Sequence, residues 1–237
     1  MNTQKPEARL TGDPEIVDFH SMFFTIQGEG PFSGHRSIFV RLAGCNLQCP
    51  GCDTEYTEGR ELRLVRGLAA RVSSLANENG LGKCLVVLTG GEPFRQQTGK
   101  LVEQISLQGH HVQIESNGML EPDSLTIEML RYGYASLIVS PKTGRIHDTC
   151  RGFAMAFKYV LDHRSVDPMD GLPIEALGHK APARGVARPR EGVPVYVNPF
   201  DSGDPLENEL NLLAAANSAL KYGYIVGVQL HKLIGLA

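Results

Sequence analysis

Three of the chain's five cysteines, Cys45, Cys49 and Cys52, fall in one short stretch with the spacing CxxxCxxC. Thiolates set this closely can converge on one metal centre, and an odd cysteine count with three clustered argues against a secreted disulfide framework. A structural zinc site closes with four Cys or His ligands, so Cys84 or a histidine from elsewhere would have to complete it. A four-iron cluster held by three thiolates instead keeps one iron open to a small molecule. Cluster potentials reach down to about −700 mV, low enough for difficult one-electron reductions. Cys84, at the head of an apolar run, and Cys150 read as ordinary small buried residues.

Other polar residues collect where apolar runs end. "LTGGEP" follows "CLVV", which sets two glycines, with Glu92 after them, where backbone can approach a ligand closely. Glu115 and Asn117 end "HVQIESNG", and Ser140, Pro141 and Lys142 end the run in "SLIVSPKTG". Taken singly, each reads equally well as a strand-end turn or a solvated side chain.

Such residues act together only if a scaffold brings the ends of the runs side by side. Short apolar runs begin at Phe39, Cys84, His111, Ser136, Phe157, Val193 and Tyr224, and their near-continuous apolarity predicts strands buried on both faces of a parallel sheet. Between runs, Leu64, Val65, Leu68, Val72, Leu75 and Ala76 recur at helical spacing. Asp204, Pro205 and Glu207 read as the N-cap, first position and capping box of a helix that stops before Gly223. Alternating strands and helices predict an α/β fold that binds ligands beyond the carboxyl ends of its strands. One domain is expected over 17–237, after a flexible, proline-broken extension over 1–16. The stretch 162–192, rich in Pro, Gly and Arg and without sustained periodicity, reads as a solvated loop or a lid.

With 237 residues, 42% of them hydrophobic, and a formal net charge of −3, the chain can bury a real core and has no overall attraction for nucleic acid or anionic membrane. No basic-then-apolar leader and no bilayer-length apolar run appear in it. A cytoplasmic protein acting on a small molecule is expected, with no direct nucleic-acid or membrane partner.

The cysteine spacing resembles the cluster signature of the radical S-adenosylmethionine superfamily. More narrowly, "FFTIQGEGPFSGHRSIFVRLAGCNLQCPGCDTEYT", with "LTGGEP", "VSPKT" and "LHKLIGLA", resembles the 7-carboxy-7-deazaguanine synthases, in order from Phe19 onward except over 162–192. That resemblance implies a partial, truncated (β/α) barrel of the radical S-adenosylmethionine type. It also implies a lyase that contracts 6-carboxy-5,6,7,8-tetrahydropterin to 7-carboxy-7-deazaguanine with loss of ammonia, in the biosynthesis of 7-deazapurines of the queuosine and archaeosine kind.

Carried over by motif, Cys45, Cys49 and Cys52 hold a 4Fe-4S cluster, and Gly91, Glu92, Glu115, Ser140, Pro141 and Lys142 meet S-adenosylmethionine. Ile26, Gln27, Gly28, Glu29, Thr89, Asn117 and His231 line the pterin. Arg41 faces its carboxylate through a charge-assisted fork. Thr54 offers magnesium a hydroxyl oxygen, a ligand type that suits a hard cation. No side chain is implied as catalytic, because the cofactor carries the radical. Family members commonly end in a proline whose carboxylate approaches the substrate; here Ala237 stands in that place. A homodimer and an electron donor such as flavodoxin or ferredoxin are implied as well. Two rivals remain: a glycyl-radical enzyme activase, against which "TIQGEG" and "LHKLIGLA" stand, and a zinc-held loop acting as a binding module.

Overall fold

The structure, a computed structural model, describes residues 2–179 and 185–236. Its strands are β1 (Ile16–Ile26), β2 (Arg36–Leu42), β3 (Glu61–Leu64), β4 (Leu85–Gly90), β5 (His111–Ser116), β6 (Ala135–Val139), β7 (Ala154–Leu161), β8 (Val195–Pro199) and β9 (Ile225–Val226). Its helices are α1 (Val65–Glu78), α2 (Gly99–Leu107), α3 (Ser124–Arg131), α4 (Asp148–Phe153), α5 (Pro205–Tyr222) and α6 (Leu230–Leu233). The strands form one sheet in the order β3-β1-β2-β4-β5-β6-β7-β8-β9. From β2 to β9 every pairing is parallel, and β1 runs antiparallel to both of its neighbours. The sheet is therefore the expected α/β partial barrel, left open between β3 and β9.

All seven apolar runs become strands, but they are not apolar on both faces. In β2, Ile38, Val40 and Leu42 are fully buried while Phe39 and Arg41 between them are half-buried. In β5, Val112 and Ile114 alternate with Gln113 and Glu115, and in β7, Phe157, Tyr159 and Leu161 alternate with Lys158 and Val160. Side chains alternate faces along a strand. One face therefore packs under the helices, where each buried aliphatic contributes about 1.5–3 kcal/mol relative to exposure. The other presents polar groups to a cleft.

The helices follow their sequence patterns with small departures. α1 buries Val65, Leu68, Ala69, Val72 and Ala76, whereas Leu64 ends β3 and is exposed. Asp204 caps α5 by accepting from the N–H groups of Leu206 and Glu207, and Gly223 ends it in the left-handed conformation at φ 76°. The capping box is only half made: the Glu207 carboxylate turns to His163 at 3.1 Å, and the Asp204 N–H donates to Ser202 Oγ instead. Among the described residues no helix is long and apolar enough to cross a membrane.

Three regions differ from the sequence reading. β1 and β3 were not anticipated, because β1 mixes polar and apolar residues and β3 is only four residues long and exposed throughout. Residues 2–10, expected to fray, lie across the cysteine loop: the N–H groups of Asn2, Glu7 and Leu10 donate to the carbonyls of Pro50, Cys45 and Arg95. Within 162–192 the described residues hold no α-helix, but Leu172, Ala176 and Val186 are buried and Arg188 pairs with Asp167 and Asp170. That segment is packed rather than a plain solvated loop.

Candidate functional site

The cleft opens at the carboxyl ends of the parallel strands, and Cys45, Cys49 and Cys52 line it together with Arg41, Thr89, Glu115, Asn117, Lys142 and Lys158. The loop holding the cysteines is braced from below. Gly44 takes φ +72°, and a Cβ there would lie 2.6 Å from the guanidinium of Arg95. Arg95 is fully buried and donates to Asp18 Oδ2 at 3.0 Å and to the Ala43 carbonyl at 2.9 Å, while Glu7 stands 3.2 Å away. The side chains of Asn2 and Gln4 donate to the carbonyls of Cys49 and Thr54. The loop is thus fixed on two sides.

Burial holds all three thiols above their ordinary pKa, Cys45 at about 12 with Glu92 adding to the rise. Three soft ligands facing one cavity, Cys49 buried and Cys45 and Cys52 half-buried, suit an iron–sulfur cluster, whose binding would displace the thiol protons. Cys84 cannot complete a zinc site with them. It precedes β4, at the opposite end of the strand from the cleft, and meets His110 there. Six strand residues separate the two ends by about 20 Å. Among the described residues no three His, Cys, Asp or Glu side chains are grouped around a single-ion site.

The two glycines at the end of β4, Gly90 and Gly91, are required by the loop rather than by a ligand. A Cβ on Gly90, at φ +118°, would fall 2.1 Å from the Leu42 carbonyl oxygen, and one on Gly91 1.9 Å from that of Gly44. Glu92 is fully buried, and its oxygens already accept from Phe94 N–H, Ser116 Oγ and Asn117 N–H. Burial raises its pKa against those bonds. It braces β4 against β5 instead of presenting a free carboxylate. Ser140 and Lys142 line the cleft, with Lys142 Nζ donating to Ser140 Oγ at 2.5 Å and to the Ser140 carbonyl at 3.1 Å. Pro141 is buried and absent from the lining.

At the far end of the cleft, Ile26, Gln27 and Glu29 follow from β1. Glu29 accepts from Lys158 Nζ at 2.5 Å and from Gln229 Nε2 at 2.8 Å; Glu115 accepts from Lys158 at 3.0 Å and from Gln27 at 2.9 Å. Burial pushes the Glu29 carboxyl up, but the ammonium of Lys158 more than offsets it, leaving a pKa of about 2. His231 lies directly over Gly28, where a Cβ would come 1.9 Å from Nδ1, and the Leu230 N–H donates to the Gly28 carbonyl. Gly28 serves by making room for that ring. Asn117 bonds to Asn46 of the cysteine loop, and Thr54 Oγ1 donates to Asp53 at 3.3 Å.

Arg41 differs from the other charged residues. Its guanidinium sits 4.8 Å above the Phe23 ring and makes no hydrogen bond or ion pair among the described residues. Burial lowers its pKa, with Asp53 opposing. Of the site residues expected from sequence, Ala237 lies outside the described residues. Lys158, Gln229 and Phe200 line the cleft without having been anticipated. The available signal for Lys158 was a lone charge inside the apolar run "FKYVLD", on the same alternation as Glu115.

Residues 26–124 match the family described as "4Fe-4S single cluster domain". Two curated proteins called 7-carboxy-7-deazaguanine synthase align along nearly the whole chain. That of Rhodospirillum rubrum is 42% identical over 233 residues, 95% of this chain and 95% of its own. That of Rickettsia prowazekii is 34% identical over 233 residues, covering 96% and 92%. The crystal structure of QueE from Escherichia coli superposes with a TM-score of 0.64 at 22% identity, over 91% of this chain and 95% of that one, and so shares the fold.

Proposed function

The chain belongs to the 7-carboxy-7-deazaguanine synthase family, and from that premise we propose that it is a cytoplasmic lyase converting 6-carboxy-5,6,7,8-tetrahydropterin to 7-carboxy-7-deazaguanine for 7-deazapurine biosynthesis. The observation that carries the reading is the polarity of one cleft. An acceptor-rich end, Glu29 with Glu115, suits the N–H donors of a pterin ring, and an unpaired guanidinium, Arg41, suits its carboxylate. The three cysteines line the same cleft as these groups and a second set of polar strand ends.

In this reading Cys45, Cys49 and Cys52 hold a 4Fe-4S cluster. Bound with S-adenosylmethionine, the cluster supplies the one-electron chemistry that removes and returns a substrate hydrogen. The chain's own residues then bind and orient. The backbone at Gly91, the Ser140–Lys142 turn and Glu115, from the edge it shares with Glu29 beside the pterin, border the S-adenosylmethionine, with Glu92 acting through the backbone it braces. Thr89, Asn117 and Ile26 pack beside the pterin, Gln27 and Glu29 face its N–H edge, and His231 closes over it from Gly28. Thr54 gives magnesium one oxygen, and the substrate's oxygens and water would complete the octahedron. Leu206, Leu213 and Leu220, exposed at seven-residue spacing on α5, form a surface that a second copy would cover in a homodimer. Electrons would come from a flavodoxin or ferredoxin.

Anaerobic turnover tests the reading: reconstituted protein, S-adenosylmethionine, magnesium, reductant and 6-carboxytetrahydropterin, with mass spectrometry of the product. Many molecules of 7-carboxy-7-deazaguanine per S-adenosylmethionine consumed are expected. 5'-Deoxyadenosine without that product would remove the substrate assignment, and a glycine radical on an added partner protein would favour the activase.

A further inference from the structure

Lys158 is 6% exposed, midway along β7, on the face that borders the cleft. Burying an ammonium is costly unless it is paired, and here two carboxylates from different elements share it: Glu29, after β1, and Glu115, on β5. The trio carries two negative charges and one positive. Gln229 and Gln27 each donate to one of the carboxylates, and Gln113 Nε2 also donates to Glu115. A carboxylate offers about four acceptor directions. Glu29 uses two in these contacts, so it retains acceptor capacity toward the cleft it lines. A merely structural pair could be replaced by apolar side chains at little cost. This one borders the ligand space, and losing the cation would set two buried carboxylates against each other.

We propose that Lys158 is a positioning residue for the reaction: it holds Glu29 and Glu115 ionised together and fixed in place, so that the cleft presents an acceptor-only edge to the N–H donors of a cyclic guanidine-like ring. The inference rests on the pterin reading above and extends it to a residue which the motifs did not assign. Other charged groups face the trio. His231 stands near Glu29 from the C-terminal segment, and Lys142, itself depressed by burial, lies near Lys158 and Glu29. Neither hydrogen-bonds to Glu29 or Glu115 among the described residues. Without Lys158, one carboxyl of the pair takes up a proton near neutrality and turns from acceptor into donor.

The test compares cluster-reconstituted wild type with Lys158→Met and Lys158→Arg. In the Met variant, KM for 6-carboxytetrahydropterin should rise by about tenfold or more near neutral pH while kcat falls less than KM rises. That KM should drop as pH rises and the carboxyl ionises, where wild type stays flat. Calorimetry of pterin binding in buffers of different ionisation enthalpy should show close to one proton released by the Met variant and almost none by wild type. Arg, which keeps the charge, should recover much of the KM. A wild-type KM in the Met variant, or a raised KM with no pH slope and no proton release, overturns the proposal. Should the Met variant fail to fold, Glu29→Gln in the wild-type background decides. It leaves the fold's charge count lower by one, and a wild-type KM there overturns the proposal equally. A wild-type enzyme that neither binds nor turns over the pterin removes the functional reading itself, which is distinct from a working enzyme indifferent to Lys158.

Discussion

Arg41→Met separates stability from function with opposite signs. The guanidinium is partly buried over Phe23, with burial lowering its pKa, and its nearest opposite charge, Asp53, has a side chain 71% exposed and therefore screened by solvent. The cation–π contact contributes about 0.5–1 kcal/mol, which desolvation of an unpaired charge readily offsets. Methionine keeps an unbranched apolar stem against the ring. The variant should therefore melt at the wild-type temperature or slightly above it. Toward a substrate carboxylate the same change removes a charge-assisted fork, at a cost of about 2–4 kcal/mol. That is roughly 30- to 900-fold in KM. Thermal unfolding and steady-state kinetics, with the cluster's visible absorption as a control on loading, give both numbers. A melting point several degrees lower with an unchanged KM would make Arg41 a structural residue and refute the reasoning.

Cys49→Ala should abolish both cluster assembly and turnover, read as iron content and product; full turnover would sink the ligand triad. Gly28→Ala places a Cβ 1.9 Å from His231 Nδ1, so the ring must shift by about an ångström, and KM should rise by on the order of tenfold with little change in melting; an unaltered KM would show that His231 does not set substrate position. Glu29 is held at about 2 against an ordinary 4.5, so its pairing adds stability that is fully present above pH 4.5 and lost as pH falls toward 2. Chemical denaturation at several pH values should show a shallower acid loss in Glu29→Gln than in wild type, and parallel slopes would contradict the linkage.

The seven strands that grew from apolar runs, α1 and α5 were legible because such runs and helical spacings are local properties of the chain. Cys45, Cys49 and Cys52 were legible for the same reason, since one loop carries all three. Long-range pairing was not. The contacts of Glu29 with Lys158 and Gln229, and the grip of Arg95 on Asp18 and the Ala43 carbonyl, join positions whose proximity no periodicity encodes. Residues 2–10 looked flexible because Pro6 and the polar side chains preclude a regular element, yet their N–H and carbonyl groups find partners on the cysteine loop and Arg95. Gly90 and Gly91 were legible as glycines with a purpose, but the purpose, passage of one backbone against another, emerged only from the close approach of Leu42 and Gly44.

The bond from Gln229 to Glu29 spans 200 positions, and this sets an order of events during synthesis. Much of what braces the cysteine loop, from Asn2 to Arg95, lies within the first 95 residues, and Asn117 and Leu177 add bonds from later in the chain. The parts that close the far end of the cleft, Gln229 and His231, are made much later. Synthesis runs from the N-terminus, so the residues of the cluster loop leave the ribosome well before those that close the substrate end. A chain halted before Gln229 would keep the three thiols and lose the closure that Gln229 and His231 provide.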